Sequence, residues 1–118
     1  MTDEATGGFA VHERVVDGVT VVEVHEVVDM LTAPLLGTAI STALAGSPRA
    51  LVIDLTDVTF LASAGMTVLV KAKEQVGTGA GFAVVAEGPV TSRPLKLVGL
   101  DEVLNLYPTV EAALRSVG

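Results

Sequence analysis

Apolar and polar positions alternate along FAVHERV, residues 9–15, the pattern of an extended strand with one covered face. Asp17-Gly18 is a tight-turn signal, and VTVVEVH, residues 19–25, continues the alternation as the second arm of a hairpin. After Asp29 the period changes. Leu35, Leu36, Ala39, Ile40, Ala43 and Leu44 recur at helical spacing, which predicts a helix with one apolar face. Thr32 is its predicted N-cap, Pro34 suits the first turn, and Gly46-Ser47-Pro48 ends it near Ala45. ALVIDLTDV, residues 50–58, is apolar almost throughout, as expected of a central strand covered on both faces.

From Ser63 onward Met66, Leu69, Val70, the Lys73 stem and Val76 step by three and four, predicting a second helix that stops before Gly77. GFAVVAE, residues 81–87, reads as another strand. Ser92 is the predicted cap of a short third helix, with Pro94 in its first turn and Gly99 just past its end. Leu104 to Tyr107 forms a weak strand, and Thr109 caps a closing helix whose Glu111 and Arg115 complement the helix dipole. Strands that alternate with helices after an opening hairpin predict an α/β fold, a mixed sheet of four to five strands with about four helices. At 118 residues the chain suits one domain, taken as residues 9–117 behind a flexible N-terminus of residues 1–8.

Composition narrows the function. Fourteen acidic residues against seven Lys and Arg give a net charge of −7, a surface that repels phosphate backbones and anionic headgroups. Nucleic acid and membrane surfaces are therefore excluded as expected partners. The absence of cysteine removes disulfides, thiolate metal sites and cysteine nucleophiles, and no cofactor or metal motif occurs. The opening MTDEATGG lacks the basic and apolar regions of a signal peptide. Residues 30–48 form an uncharged window of nineteen, but its three Thr, two Ser, two Gly and two Pro suit a one-faced helix on a core better than a membrane span.

The most unusual stretch is VTFLASAGMTVL, residues 58–69. A strand pattern shrinks to Ala62-Ser63-Ala64-Gly65 and leaves one hydroxyl among small side chains. Ser63 could simply cap the helix that follows. It does not suit a hydrolase elbow, because Leu61 stands where the first glycine belongs and both histidines, His12 and His25, precede it. A nucleotide-binding loop would need a lysine after its glycines, and none occurs before Lys71. A third possibility is that Ser63 receives a phosphate, since a helix N-terminus tolerates the added charge while any surface docked there would feel it. Asp29 and Asp54 are both expected within reach of this site, whereas His12 and His25 are expected to face solvent.

The run LVIDLTDVTFLASAGMTVLV and the order of elements resemble the STAS domain, specifically the bacterial anti-sigma factor antagonists. In that family the central strand ends in Asp-Ser-Ser-Gly and the first serine is phosphorylated. Aligned on Gly65, Ser63 takes the place of that serine, while Ala62 replaces the aspartate and Ala64 the second serine. Asp29 with Thr32-Ala33 resembles the family's Gly-Glu-Leu-Asp segment, although Glu26-Val27 stand where Gly-Glu is usual. VTSRPLKLVGLDEVL resembles the family's third helix and the turn after it.

The resemblance implies a cytoplasmic, non-enzymatic binding module. Its expected partners are an anti-sigma factor that is also a serine kinase, and a serine phosphatase that reverses the modification. The unmodified protein would release a sigma factor by binding its inhibitor, and phosphorylation of Ser63 would end that association. The implied docking surface comprises Asp29, Leu61, Ala62, Ser63, Ala64, Gly65, Met66 and Thr67. The alternative is a STAS scaffold without a phospho-switch, or a sensor for a small anion or nucleotide.

Overall fold

The computed structural model describes residues 8–118, so the expectation of a flexible N-terminus falls almost wholly outside the described residues. Two strands open the fold, β1 (Ala10–Val16) and β2 (Val19–Val28). They pair antiparallel through Asp17 and Gly18, whose φ values of 52° and 80° are those the tight hairpin turn demands. Next come α1 (Ala33–Ala45), β3 (Ala50–Leu61), α2 (Ser63–Val76) and β4 (Gly81–Val85). The chain closes with α3 (Ser92–Leu97), α4 (Leu100–Leu104), β5 (Leu106–Tyr107) and α5 (Val110–Val117).

The five strands form one sheet in chain order, and every pair after the first is parallel. Parallel crossovers are right-handed, so successive crossovers in one direction lay their helices on one face. Accordingly Leu36, Ile40, Leu69, Ala72, Leu95 and Leu104, from α1 to α4, bury one core with Val22, Val24, Leu51, Ile53 and Val84 of the sheet. The alternate residues Val19, Val21, Ala50, Val52, Ala83 and Val85 face the other way and are covered by α5 through Ala113 and its neighbours. This alternation is why β3 reads as a continuous apolar run at its start.

Three expectations need correction. The strand taken to end at Val58 continues to Leu61, because Phe60 and Leu61 pair with Val27 and Val28 of a β2 longer than expected. The short helix α4 occupies residues placed partly in a loop and partly in a weak strand, which shrinks to Leu106–Tyr107. Leu35 and Leu36 are both expected on the apolar face of α1, but only Leu36 is buried and Leu35 is 46% exposed.

The N-caps also differ. Thr109 caps α5 as expected, its hydroxyl accepting from the Ala112 N–H at 3.1 Å. Thr91 rather than Ser92 precedes α3, and Thr32 makes no side-chain cap to α1. Instead the Thr32 hydroxyl accepts from the Asp29 N–H at 2.9 Å and donates to the Val27 carbonyl at 2.8 Å.

Candidate functional site

β4 ends where Val85 pairs with Asp54, so beyond that point β3 has only β2 beside it. The last turns of β2 and β3 therefore project past the rest of the sheet as a two-stranded ribbon. Register shifts at Glu23/His25 and Glu26/Val27, with Glu26 at φ 74°, twist the ribbon on its way out. At its tip the Ala62 N–H donates to the Val28 carbonyl at 2.8 Å, and the chain turns into α2.

Ser63 is the first helical residue of α2 and is exposed. The cap position belongs to Ala62, extended at φ −86° and ψ 168°, which has no side chain to satisfy the helix terminus. The reading of Ser63 as a cap is thus overturned by one residue of register. Among the described residues its hydroxyl has no hydrogen-bond partner. Its carbonyl accepts from the Thr67 hydroxyl at 3.1 Å, which turns that side chain back along the helix.

Gly65 holds this turn against the ribbon. A Cβ there would lie 2.5 Å from Val28 Cγ1 and 2.8 Å from Leu61 Cδ1, both on buried residues. Glycine is therefore the residue that lets the helix start so close to the strand ends. Met66 is half-buried and packs against the main core, while Thr67 is exposed beside Ser63. Ala62 and Ala64 are half-buried, and Leu61 lies in the core.

Asp29 sits on the neighbouring loop with a structural task. Its Oδ1 accepts from the backbone N–H groups of Leu31 at 2.9 Å and Thr32 at 3.1 Å, and its carbonyl accepts from Ala33 at 2.8 Å. This turn fixes the approach to α1 and leaves Met30 79% and Leu31 63% exposed. Leu35 on α1 and Phe60 near the end of β3, 53% exposed, add to the apolar surface at this end of the sheet. None of these four is named as a site residue by the sequence reading, although it places the loop at Asp29 in the docking surface; the run MLTAPLL holds the first three, and Phe60 lies in the strand before Ser63.

Asp54 does not belong to the site. It turns toward Thr56, accepting from its N–H at 3.0 Å, and lines a depression with Pro108 to Glu111 at the start of α5. His25 is not simply solvent-facing. Its Nδ1 lies 3.5 Å from Asp57, its Nε2 4.0 Å from Glu23, and its ring meets His12 edge to face at 5.0 Å. This polar cluster lies on the α5 side of the sheet, whereas Ser63 opens a helix on the other side. No imidazole stands by the serine to act as its base. Among the described residues no group of three or more His, Asp or Glu is arranged to hold a metal ion. No described helix is long and apolar enough to cross a membrane.

The family model for the STAS domain matches residues 11–113. The chain is a STAS domain. Within that family it is 43% identical over 101 residues to the anti-sigma-F factor antagonist RsfB of Mycobacterium tuberculosis, covering 86% of this chain and 83% of the relative. It also matches the crystal structure of an anti-sigma factor antagonist from Mycobacterium paratuberculosis. That structure is 47% identical with a TM-score of 0.90, covering 93% of this chain and 94% of the other. SpoIIAA, a Bacillus cell fate determinant, shares the STAS fold at a TM-score of 0.70 in its unphosphorylated form, with 17% identity over 93% of this chain and 96% of its own. The mixed five-stranded sheet with one layer of helices on each face is thus a STAS fold throughout.

Proposed function

We propose that this STAS domain is an anti-sigma factor antagonist. It binds an anti-sigma factor through the tip of the β2–β3 ribbon and so releases the sigma factor held there. The domain works by occupying a surface rather than by catalysis, and it acts in the cytoplasm, where sigma factors and their regulators meet. Phosphorylation of Ser63 by a serine kinase, the anti-sigma factor itself, ends the association, and a serine phosphatase restores it. The two mycobacterial relatives carry the name of this activity over most of the chain.

The observation that carries the reading is the exposed Ser63 hydroxyl, free of any described partner, at the same end of the sheet as exposed Met30, Leu31, Leu35 and Phe60. Large apolar side chains exposed together supply docking energy when a partner covers them. A phosphate at Ser63 brings roughly −1.5 to −2 charges into that contact. Burying such a group without matched cations is costly, so the modified protein lets go. The fold tolerates the change because the phosphate stands at the N-terminus of α2.

The test combines mass and affinity. Incubation with the cognate anti-sigma kinase and ATP should add one phosphate, mapped to Ser63. Ser63→Ala should bind the anti-sigma factor constitutively and Ser63→Glu poorly. If no phosphate is transferred and both variants bind with equal affinity, the domain is an unswitched scaffold or a small-anion sensor instead. Ala62 and Ala64 in place of motif polar residues are the features that favour this second reading.

A further inference from the structure

The chain has three methionines and no cysteine, so its only oxidisable sulfurs are thioethers. Two of them, Met30 and Met66, lie among the described residues, and both fall at the proposed docking surface. Their surroundings differ. Met66 is half-buried in the first turn of α2 and packs on the main core. Met30 follows Asp29 directly and is 79% exposed, the most exposed large apolar residue among the described residues. The hydrogen bonds from Leu31 and Thr32 to Asp29 Oδ1 bracket it, so the loop that presents it is built rather than loose.

We propose that Met30 is a modification site for hydroperoxide oxidants, a second and reversible input to the surface that Ser63 governs. The step is an oxygen transfer. The thioether sulfur attacks the distal peroxide oxygen, an S–O bond forms and the O–O bond breaks. Sulfur loses two electrons, and hydrogen peroxide is reduced to water. A sulfoxide reductase that draws two electrons from a dithiol reverses it, releasing a second water. The product replaces a flexible apolar side chain by a polar one next to exposed Leu31. A partner that covered the thioether would have to desolvate the sulfoxide oxygen, so docking weakens. No change in the fold is required, because the side chain lies outside the core.

The effect on docking rests on the function proposed above, whereas the order of oxidation does not. Limiting hydrogen peroxide, followed by quenching and peptide mapping, should convert Met30 to its sulfoxide well before Met66. The purified Met30 sulfoxide should bind the anti-sigma factor about tenfold more weakly in titration calorimetry, as expected for a polar oxygen placed in an apolar contact. Met30→Leu, compared with and without peroxide treatment, should lose the peroxide-dependent drop in affinity, whatever its own affinity. Oxidation of Met66 first or at an equal pace would overturn the site assignment. An unchanged affinity of the Met30 sulfoxide, or persistent sensitivity in Met30→Leu, would overturn the regulatory role. If the untreated protein fails to bind at all, the functional reading fails, and the oxidation order still decides whether Met30 is the reactive sulfur.

Discussion

The Ala62 N–H donates to the Val28 carbonyl across 2.8 Å, so the start of α2 hangs from the last residue of β2. Gly65 completes the same junction by giving Val28 and Leu61 the space a Cβ would take. The position of Ser63 is therefore set by strand pairing and close packing rather than by a side-chain cap. Each substitution below acts on one part of this arrangement.

Gly65→Ala should destabilise the domain and also displace Ser63. The methyl group would lie 2.5 Å from Val28 Cγ1, a stiff branched side chain in the core. Overpacking of this kind costs about 1–3 kcal/mol, and the better helix propensity of alanine returns at most about 1 kcal/mol. Urea denaturation should show a lower midpoint with an unchanged slope. A midpoint equal to or above that of the parent would mean that the junction relaxes freely.

Asp29→Ala should cost about 1 kcal/mol, the usual consequence of losing a carboxylate that satisfies helix-entry N–H groups. The loss should also free Met30 and Leu31 and weaken partner binding by more than the drop in stability suggests. Asp29→Asn keeps an oxygen acceptor and should recover most of both. Thermal unfolding and calorimetry on the two variants separate this role from a contact of the carboxylate with the partner. In the latter case asparagine would fold normally and still bind poorly.

Apart from α4, the order of elements and the close approach at the Ser63 joint were legible because they depend on local signals. Asp17-Gly18 marks its turn, Thr109 caps its helix, and the four small residues before Met66 announce a close approach. What misled was chemistry that depends on partners. Thr32 and Ser63 are good caps by residue type, yet the cap of a helix is decided by register, and each is used differently here. Leu35 and Leu36 are indistinguishable as apolar residues, and only the direction in which α1 lies on the sheet decides which is buried. The projection of β2 and β3 arises from pairing that the early end of β4 leaves unshared, a relation between distant segments that a local pattern does not encode.

Ala62→Asp should stabilise the domain. Ala62 already has the extended backbone of an N-cap, but no side chain to accept from the first turn of α2. An aspartate there should contribute about 0.5–2 kcal/mol through a cap hydrogen bond, with some further help from the helix dipole. The gain should be visible as a higher urea midpoint and should fade as the carboxylate is protonated in acid. Unchanged stability at neutral pH would show that ordered water already satisfies this helix end.

Ser63→Glu separates folding from binding. Its negative charge stands at the first position of α2, where an exposed anion is worth about 0.3–1 kcal/mol at low salt. The folded state should therefore hold or gain stability, and the gain should shrink as salt screens it. Affinity for the anti-sigma factor should fall by at least about tenfold, because the carboxylate would be desolvated among apolar contacts. Unfolding curves at low and high salt, paired with calorimetry, give both quantities on one sample. A variant that loses stability and affinity together would point to damage at the ribbon tip. One that keeps both would remove Ser63 from the docking surface.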